Sequence, residues 1–282
     1  MTAKFEYTKS SYGEMFQVLK SLRQHGLFSD IKLETDDGTI IFGHKVILAS
    51  ASPYFQAMFT NFGEKNKDHV VIRQLDSIIL QLLVDFIYSG TILITKKNVQ
   101  DLLAASNLLQ LNDLKETCCE FFQKQLHPTN CLGIKAFADV HSCTKLLSSS
   151  ELYIKQYFLK VVESEEFLSL SSEELVKLIS CDELKVSSEE EVFESVLRWV
   201  KNELDSRKCF LPQLMEHVRL AFTSENYIIQ KVLKEPILNN CLKCKEYINE
   251  VLHFHFPKRH ESDQVIPIPE RIRYKPRLED KV

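Results

Sequence analysis

Glycine sets the tightest limit on what this chain can become. The sequence holds seven glycines, and the last is Gly133. Left-handed backbone is cheap only for glycine, so everything beyond residue 133 has few places for positive-φ turns. Helices joined by short polar loops are therefore expected there. The same scarcity argues against an appended β-propeller, since neither a Gly-Gly doublet nor a blade-length repeat occurs.

The glycines that exist fall where strands and helices alternate. Met15, Phe16, Leu19 and Leu22 recur at helical spacing, and Gly26 is placed to end that helix. Asp30-Ile-Lys-Leu-Glu34 alternates polar and apolar, as a half-buried strand does. Thr35-Asp-Asp-Gly38 reads as a turn and Thr39-Ile-Ile-Phe42 as the returning strand. Ser52-Pro53 opens a helix, and His69-Val-Val-Ile72 is a further strand. Asp76 caps a helix that Gly90 ends, and Thr91-Ile-Leu-Ile94 reads as one more strand.

Beyond this the pattern is helical. Asn112 precedes a helix with Leu114, Cys118, Phe121 and Phe122 on one face, and His127-Pro-Thr-Asn130 interrupts it. Ser171 with Glu174, and Ser188 with Glu191, form capping boxes. The second leads into an apolar stripe at Val192, Phe193, Val196, Leu197 and Val200. Residues 257–282 hold four of the eight prolines with little periodicity, which predicts a linker or tail.

With 44% hydrophobic residues the chain can bury a sizeable core, and a net charge of -4 gives no broad basic footprint, so no nucleic-acid partner is expected. No apolar run follows Lys4, and no stretch of about 18 apolar residues occurs. Neither a secretory signal nor membrane insertion is expected. The expected location is cytoplasmic, with cytoskeletal association or the nucleus left open, and the eight cysteines should be thiols.

The search for chemistry finds no catalytic, cofactor-binding or metal site. Phosphate-cradling loops need clustered glycines, and none cluster. Cys241-Leu-Lys-Cys244 with His253 and His255 is the best metal candidate. Two histidines two residues apart on a helix point in different directions, and the spacing from Cys244 is too short for the usual zinc pattern. Adjacent Cys118 and Cys119 cannot both face one partner, so at least one is ordinary packing. The run Glu189-Glu-Glu191 is explained by a helix start, where it complements the macrodipole.

Three segments are far more specific. They are His44-Lys-Val-Ile-Leu-Ala-Ser-Ala-Ser-Pro-Tyr-Phe-Gln-Ala-Met-Phe59, the run from Cys118 to His141, and Leu214-Met-Glu-His-Val-Arg-Leu220. The first resembles the BTB (POZ) signature. The second resembles the BTB-to-BACK junction of kelch-like proteins, and the third a BACK stretch. The resemblance is to the ring canal kelch group of that family and covers about residues 11–255. It implies an α+β fold: a BTB/POZ domain (a small mixed sheet flanked by helices) at 11–126, then an all-α BACK domain of helical hairpins at 127–255. An N-terminal extension at 1–10 and a tail at 256–282 flank them.

The resemblance also implies partners. Such domains form homodimers through the N-terminal helix, here Met15, Leu19 and Leu22. The family binds the N-terminal domain of the scaffold protein cullin 3 through a hydrophobic-x-Glu motif, here Phe62-Gly-Glu64. This loop is one residue shorter than in some relatives. Around it, Phe55, Phe59 and Tyr88 are candidates for the same surface, as are His127 and Asn130 at the start of BACK. Asp30 and Lys45 match a structural charged pair of BTB domains.

The implied function is that of a non-catalytic adaptor part of a cullin 3 ubiquitin ligase. The family's substrate-selecting propeller is missing from Arg277-Leu-Glu-Asp-Lys-Val282 onward, which leaves a truncated product and a natural short form both open. A short form would heterodimerise with full-length relatives and lower substrate capture. An actin-associated scaffold and a transcriptional BTB protein are the alternatives.

Overall fold

A computed structural model of the chain describes residues 13–61, 63, 66–256 and 275–277. The chain divides into two compact units, 1–125 and 126–282.

In the first unit, helix α1 (Gly13–Gln24) precedes strands β1 (Ile31–Thr35) and β2 (Ile40–Gly43). Helices α2 (Lys45–Ala51) and α3 (Pro53–Asn61) lead to β3 (His69–Ile72). Helices α4 (Ser77–Ser89), α5 (Val99–Leu108) and α6 (Asn112–Lys124) complete the unit. The sheet order is β2-β1-β3. Strand β1 pairs antiparallel with β2, Leu33 opposite Ile41, and parallel with β3, Leu33 opposite Val70. Ile31, Leu33, Ile41, Val70 and Ile72 turn inward and are buried, so the period-two pattern decides which sheet face meets the helices.

Helix ends follow local chemistry. The Asp76 carboxylate accepts hydrogen bonds from the main-chain N–H groups of Ile78 and Ile79, and α4 ends at Gly90 in the left-handed region, φ 69°. Ser52 accepts from Phe55 N at the start of α3 and donates to the Leu109 carbonyl at 2.6 Å, which ties α3 to the end of α5.

The expected strand at Thr91–Ile94 is not one. Leu93 is 77% exposed. The Leu93 carbonyl accepts from the Asn98 side chain at 2.9 Å, and Thr95 N donates to the same amide's oxygen at 2.7 Å. Asn98 thus supplies locally what a ladder would have supplied.

The second unit is helical. It runs through α7 (Cys131–Val140), α8 (Thr144–Gln156), α9 (Phe158–Val162), α10 (Glu165–Leu168), α11 (Ser172–Ser180) and α12 (Glu189–Asn202). After α13 (Leu204–Arg207) come α14 (Leu211–Met215), α15 (Glu225–Tyr227), α16 (Pro236–Asn239) and α17 (Leu242–His255). Pro212 and Pro236 sit in first turns, where the missing N–H costs nothing. Val192, Phe193, Val196, Leu197 and Val200 are all buried, with Phe158, Phe167 and Trp199 in the same core. Each such side chain contributes about 1.5–3 kcal/mol of burial. Trp199 Nε1 donates to the Leu170 carbonyl at 2.9 Å, and the Arg207 guanidinium lies 4.2 Å from the centre of its ring. Cys244 belongs to this core, and burial pushes its thiol far above the usual range. Among the described residues no helix is long and apolar enough to cross a membrane.

Candidate functional site

The candidate residues fall on separate surfaces of the two units. The first is the outer face of α1. Arg23, 3% exposed, anchors this helix: its guanidinium pairs with Asp85 on α4, bonds the Phe42 carbonyl and lies over the Tyr88 ring at 5.1 Å. Around this anchor the helix leaves several apolar side chains open, among polar ones such as Gln17 and Ser21. Met15 is 48% and Val18 58% exposed, while Leu19 and Leu22 are half-buried. Just beyond, Leu27 is exposed and Phe28 is 84% exposed at φ 56°. A large aromatic held in left-handed backbone and turned to solvent is a costly arrangement. Val18 lies three residues after Met15 and four before Leu22, so helical spacing alone could have flagged it. Phe28 left no such signal.

The second surface is α3 with the loop that follows it. Phe55 and Phe59 stack at 5.8 Å inside the unit and are 0% and 7% exposed. Tyr88 is 1% exposed. Its hydroxyl accepts from His44 N at 2.9 Å and meets His44 Nδ1 at 2.8 Å, while Nε2 faces the Leu27 carbonyl at 3.3 Å. That pattern places the imidazole proton on Nε2 and has the Tyr88 hydroxyl donate to Nδ1. Burial pushes the Tyr88 phenol up, with the His44 hydrogen bond opposing. All three are candidates for the cullin-facing surface, and in the first unit all three are buried.

The exposed flank of α3 carries Gln56, Thr60 and Asn61. Beside it opens a cleft of about 510 Å³, bounded by Pro53 and Gln56, by Ile87, and by Gln110, Leu111 and Asp113. Gln110 holds φ 55°, which turns the chain between α5 and α6 at the cleft's edge. Sequence reasoning missed this cleft, because nothing in the periodicity marks where two helix ends leave a gap. Phe62 and Glu64 lie outside the described residues.

Asp30 and Lys45 meet at the start of α2. The Asp30 carboxylate accepts from the main-chain N–H of Lys45 at 2.7 Å, and Asp30 is exposed. It serves as a side-chain acceptor at the start of α2, and the cost of an uncompensated buried charge does not apply. The Lys45 ammonium lies 5.8 Å from the centre of the Phe59 ring.

In the second unit, His127 and Asn130 share one turn. The Asn130 amide oxygen accepts from His127 N at 2.8 Å, and His127 Nδ1 meets the Thr129 hydroxyl at 3.0 Å. His127 is exposed. Glu166 on α10 then caps α7, accepting from Leu132 N at 3.1 Å and Gly133 N at 3.2 Å. Burial, with the nearby Glu166 charge, pushes the Cys131 thiol up to about 11. It is a neutral packing group rather than a nucleophile.

The comparisons with known proteins bear directly on these two units. The model of the BTB/POZ domain matches residues 19–126, and that of BACK (BTB And C-terminal Kelch) matches residues 131–233. This is a BTB–BACK chain. Human Kelch-like protein 2 is 46% identical over 241 residues, 85% of this chain and 40% of the relative. Human Kelch-like protein 3 is 45% identical over 244 residues, 86% of this chain and 41% of the relative. The BTB–BACK chain thus spans about 40% of the length of the curated relatives it matches. Among solved structures, the BTB domain of human gigaxonin is 29% identical and covers 43% of this chain and 99% of its own, with a TM-score of 0.39. The small three-stranded sheet with its helices, followed by a helical BACK region, is the α+β architecture the resemblance implied.

Proposed function

We propose that this BTB–BACK chain is a dimerising adaptor that seats the N-terminal domain of cullin 3 and carries out no catalysis itself. The observation that supports it best is the open cleft beside α3 in a domain so similar to the kelch-like relatives. Buried Phe55 and Phe59 anchor α3, Gln56 on its exposed flank lines the cleft, and Phe62 and Glu64 follow the helix in sequence. Such a cleft suits one turn of a partner helix, with an aromatic anchor and a nearby carboxylate to set register. The exposed apolar face of α1, extended by Leu27 and Phe28, is the pairing surface, since contiguous exposed apolar area marks an interaction site. Ubiquitin transfer belongs to proteins carried by the cullin. Linking two cullin-docking faces in one dimer raises effective concentration at any shared target.

Calorimetric titration with the cullin 3 N-terminal domain tests the docking. Phe62→Ala and Glu64→Ala should each weaken binding. If cullin binds and neither change costs even about threefold, roughly 0.65 kcal/mol, the motif is misassigned. Sedimentation of Val18→Asp should show a monomer where the parent chain shows a dimer. An unchanged sedimentation profile removes α1 from the pairing surface.

A further inference from the structure

Glu189 opens α12, a position where a carboxylate ordinarily lies in water, yet it is 6% exposed. What covers it is Arg277, far along the chain. Arg277 Nε donates to Glu189 Oε1 at 2.5 Å, and a terminal nitrogen reaches Oε2 at 3.3 Å. The same guanidinium donates to the carbonyls of Cys181 at 2.6 Å and Ile179 at 2.9 Å. Those carbonyls belong to the C-terminal end of α11, where helices leave acceptors unpaired and where positive charge is favoured. One fork therefore joins the negative end of α11 to a carboxylate at the positive end of α12, with its side chain only 7% exposed.

Lys275 is also held, though its side chain is 61% exposed. Its ammonium pairs with Asp182, and its carbonyl accepts from the Arg219 guanidinium at 2.9 Å. Arg219 is itself 0% exposed and bonds Asp182 at 2.5 Å. Pro276 stands between them and has no N–H to leave unpaired. Two acidic side chains, a buried arginine and two helix-end carbonyls thus converge on three residues of a segment whose composition predicted only a tail.

We propose that Lys275-Pro-Arg277 is a built-in ligand, seated in a polar socket made by Asp182, Glu189 and Arg219, and that it fixes where the chain leaves the BACK domain. The socket recognises a basic-Pro-Arg sequence: a point charge for Asp182, a main-chain carbonyl for Arg219, and a planar fork for Glu189. A lysine at 277 keeps the charge and cannot span the carboxylate and both carbonyls. The proposal stands apart from cullin docking, because it concerns only residues of the second unit and their own downstream segment.

Adding a fluorescein-labelled peptide of residues 271–282 to the full chain tests it by anisotropy. The wild-type socket is filled from within, where tethering gives an effective concentration of about millimolar. Lys275→Ala/Arg277→Ala empties it. The peptide should bind this variant at least tenfold more tightly than wild type. Adding Glu189→Gln, or replacing the arginine of the peptide by alanine, should abolish that gain. Circular dichroism checks that the variant is folded. If it is not, Arg277→Lys alone should give the same order of affinities. Equal binding to wild type and to the emptied variant overturns the proposal, as does no binding to either, or full binding by the alanine peptide.

Discussion

Gly133→Ala should change the sign of its effect with the residue that faces it. A Cβ built at Gly133 would come within 2.8 Å of Glu166 Oε1. The carboxylate would have to move, and its two bonds to Leu132 N and Gly133 N would weaken or break. Loss of an N-terminal cap costs about 1 kcal/mol, within a range of about 0.5–2. Against this, replacing glycine by alanine within a helix gains about 0.5–1 kcal/mol, and a first-turn site falls at the lower end. The net change in the natural chain is therefore a loss of about 0.5 kcal/mol. Once Glu166→Ala has removed the carboxylate, only the gain remains, and Gly133→Ala should stabilise by about 0.5 kcal/mol. The double-mutant cycle should then show about 1 kcal/mol of coupling. Urea unfolding of the four proteins, read by circular dichroism with equal slopes, measures it. The same sign for Gly133→Ala in both backgrounds would show that Glu166 does not hold the start of α7, and with it the mount for His127 and Asn130.

Two further outcomes follow from buried polar groups. Tyr88→Phe removes the hydroxyl that serves both His44 N and Nδ1, and should cost about 1–3 kcal/mol in urea. A loss under about 0.5 kcal/mol would mean that water or a local shift satisfies His44 equally well. His217, whose Nδ1 is buried without a hydrogen-bond partner, has its pKa held below the usual 6.5, chiefly by burial and also by the Arg219 charge, with Glu216 opposing. Its unfolded form binds a proton that the folded form resists. Its contribution to stability is therefore complete above pH 6.5 and falls as pH drops through that value toward the depressed one. His217→Leu should flatten the fall in melting temperature between about pH 7 and 5, and an unchanged slope would place the titrating group elsewhere.

The fold was legible wherever period and capping agreed. Leu33 and Ile41 alternate inward, Asp76 and Gly90 bracket α4, and the stripe from Val192 to Val200 is buried as its spacing demanded. The exception at Thr91–Ile94 shows what periodicity omits: a nearby Asn98 can take over the bonds a strand would need. The surfaces were less legible. Phe55 and Phe59 lie within a family signature, and a signature does not say which of its side chains are buried, because mounting a helix requires aromatic burial as strongly as binding does. Glu189 does more than complement the helix dipole. Its buried ion pair depends on Arg277, a separation no local pattern encodes.

The Ser52 tie to Leu109 and the register of β3 against β1 lie on either side of the loop after α3. One is a fixed point upstream and the other a fixed point downstream, so a residue gained or lost between Asn61 and His69 changes the length of the connection and leaves both ties in place. Closing a slightly longer or shorter loop alters its entropy by only tenths of a kcal/mol. Evolution can therefore retune this stretch, in length as well as in composition, with little penalty to folding. A comparison of natural loop lengths here should find lengths that differ by a residue or more.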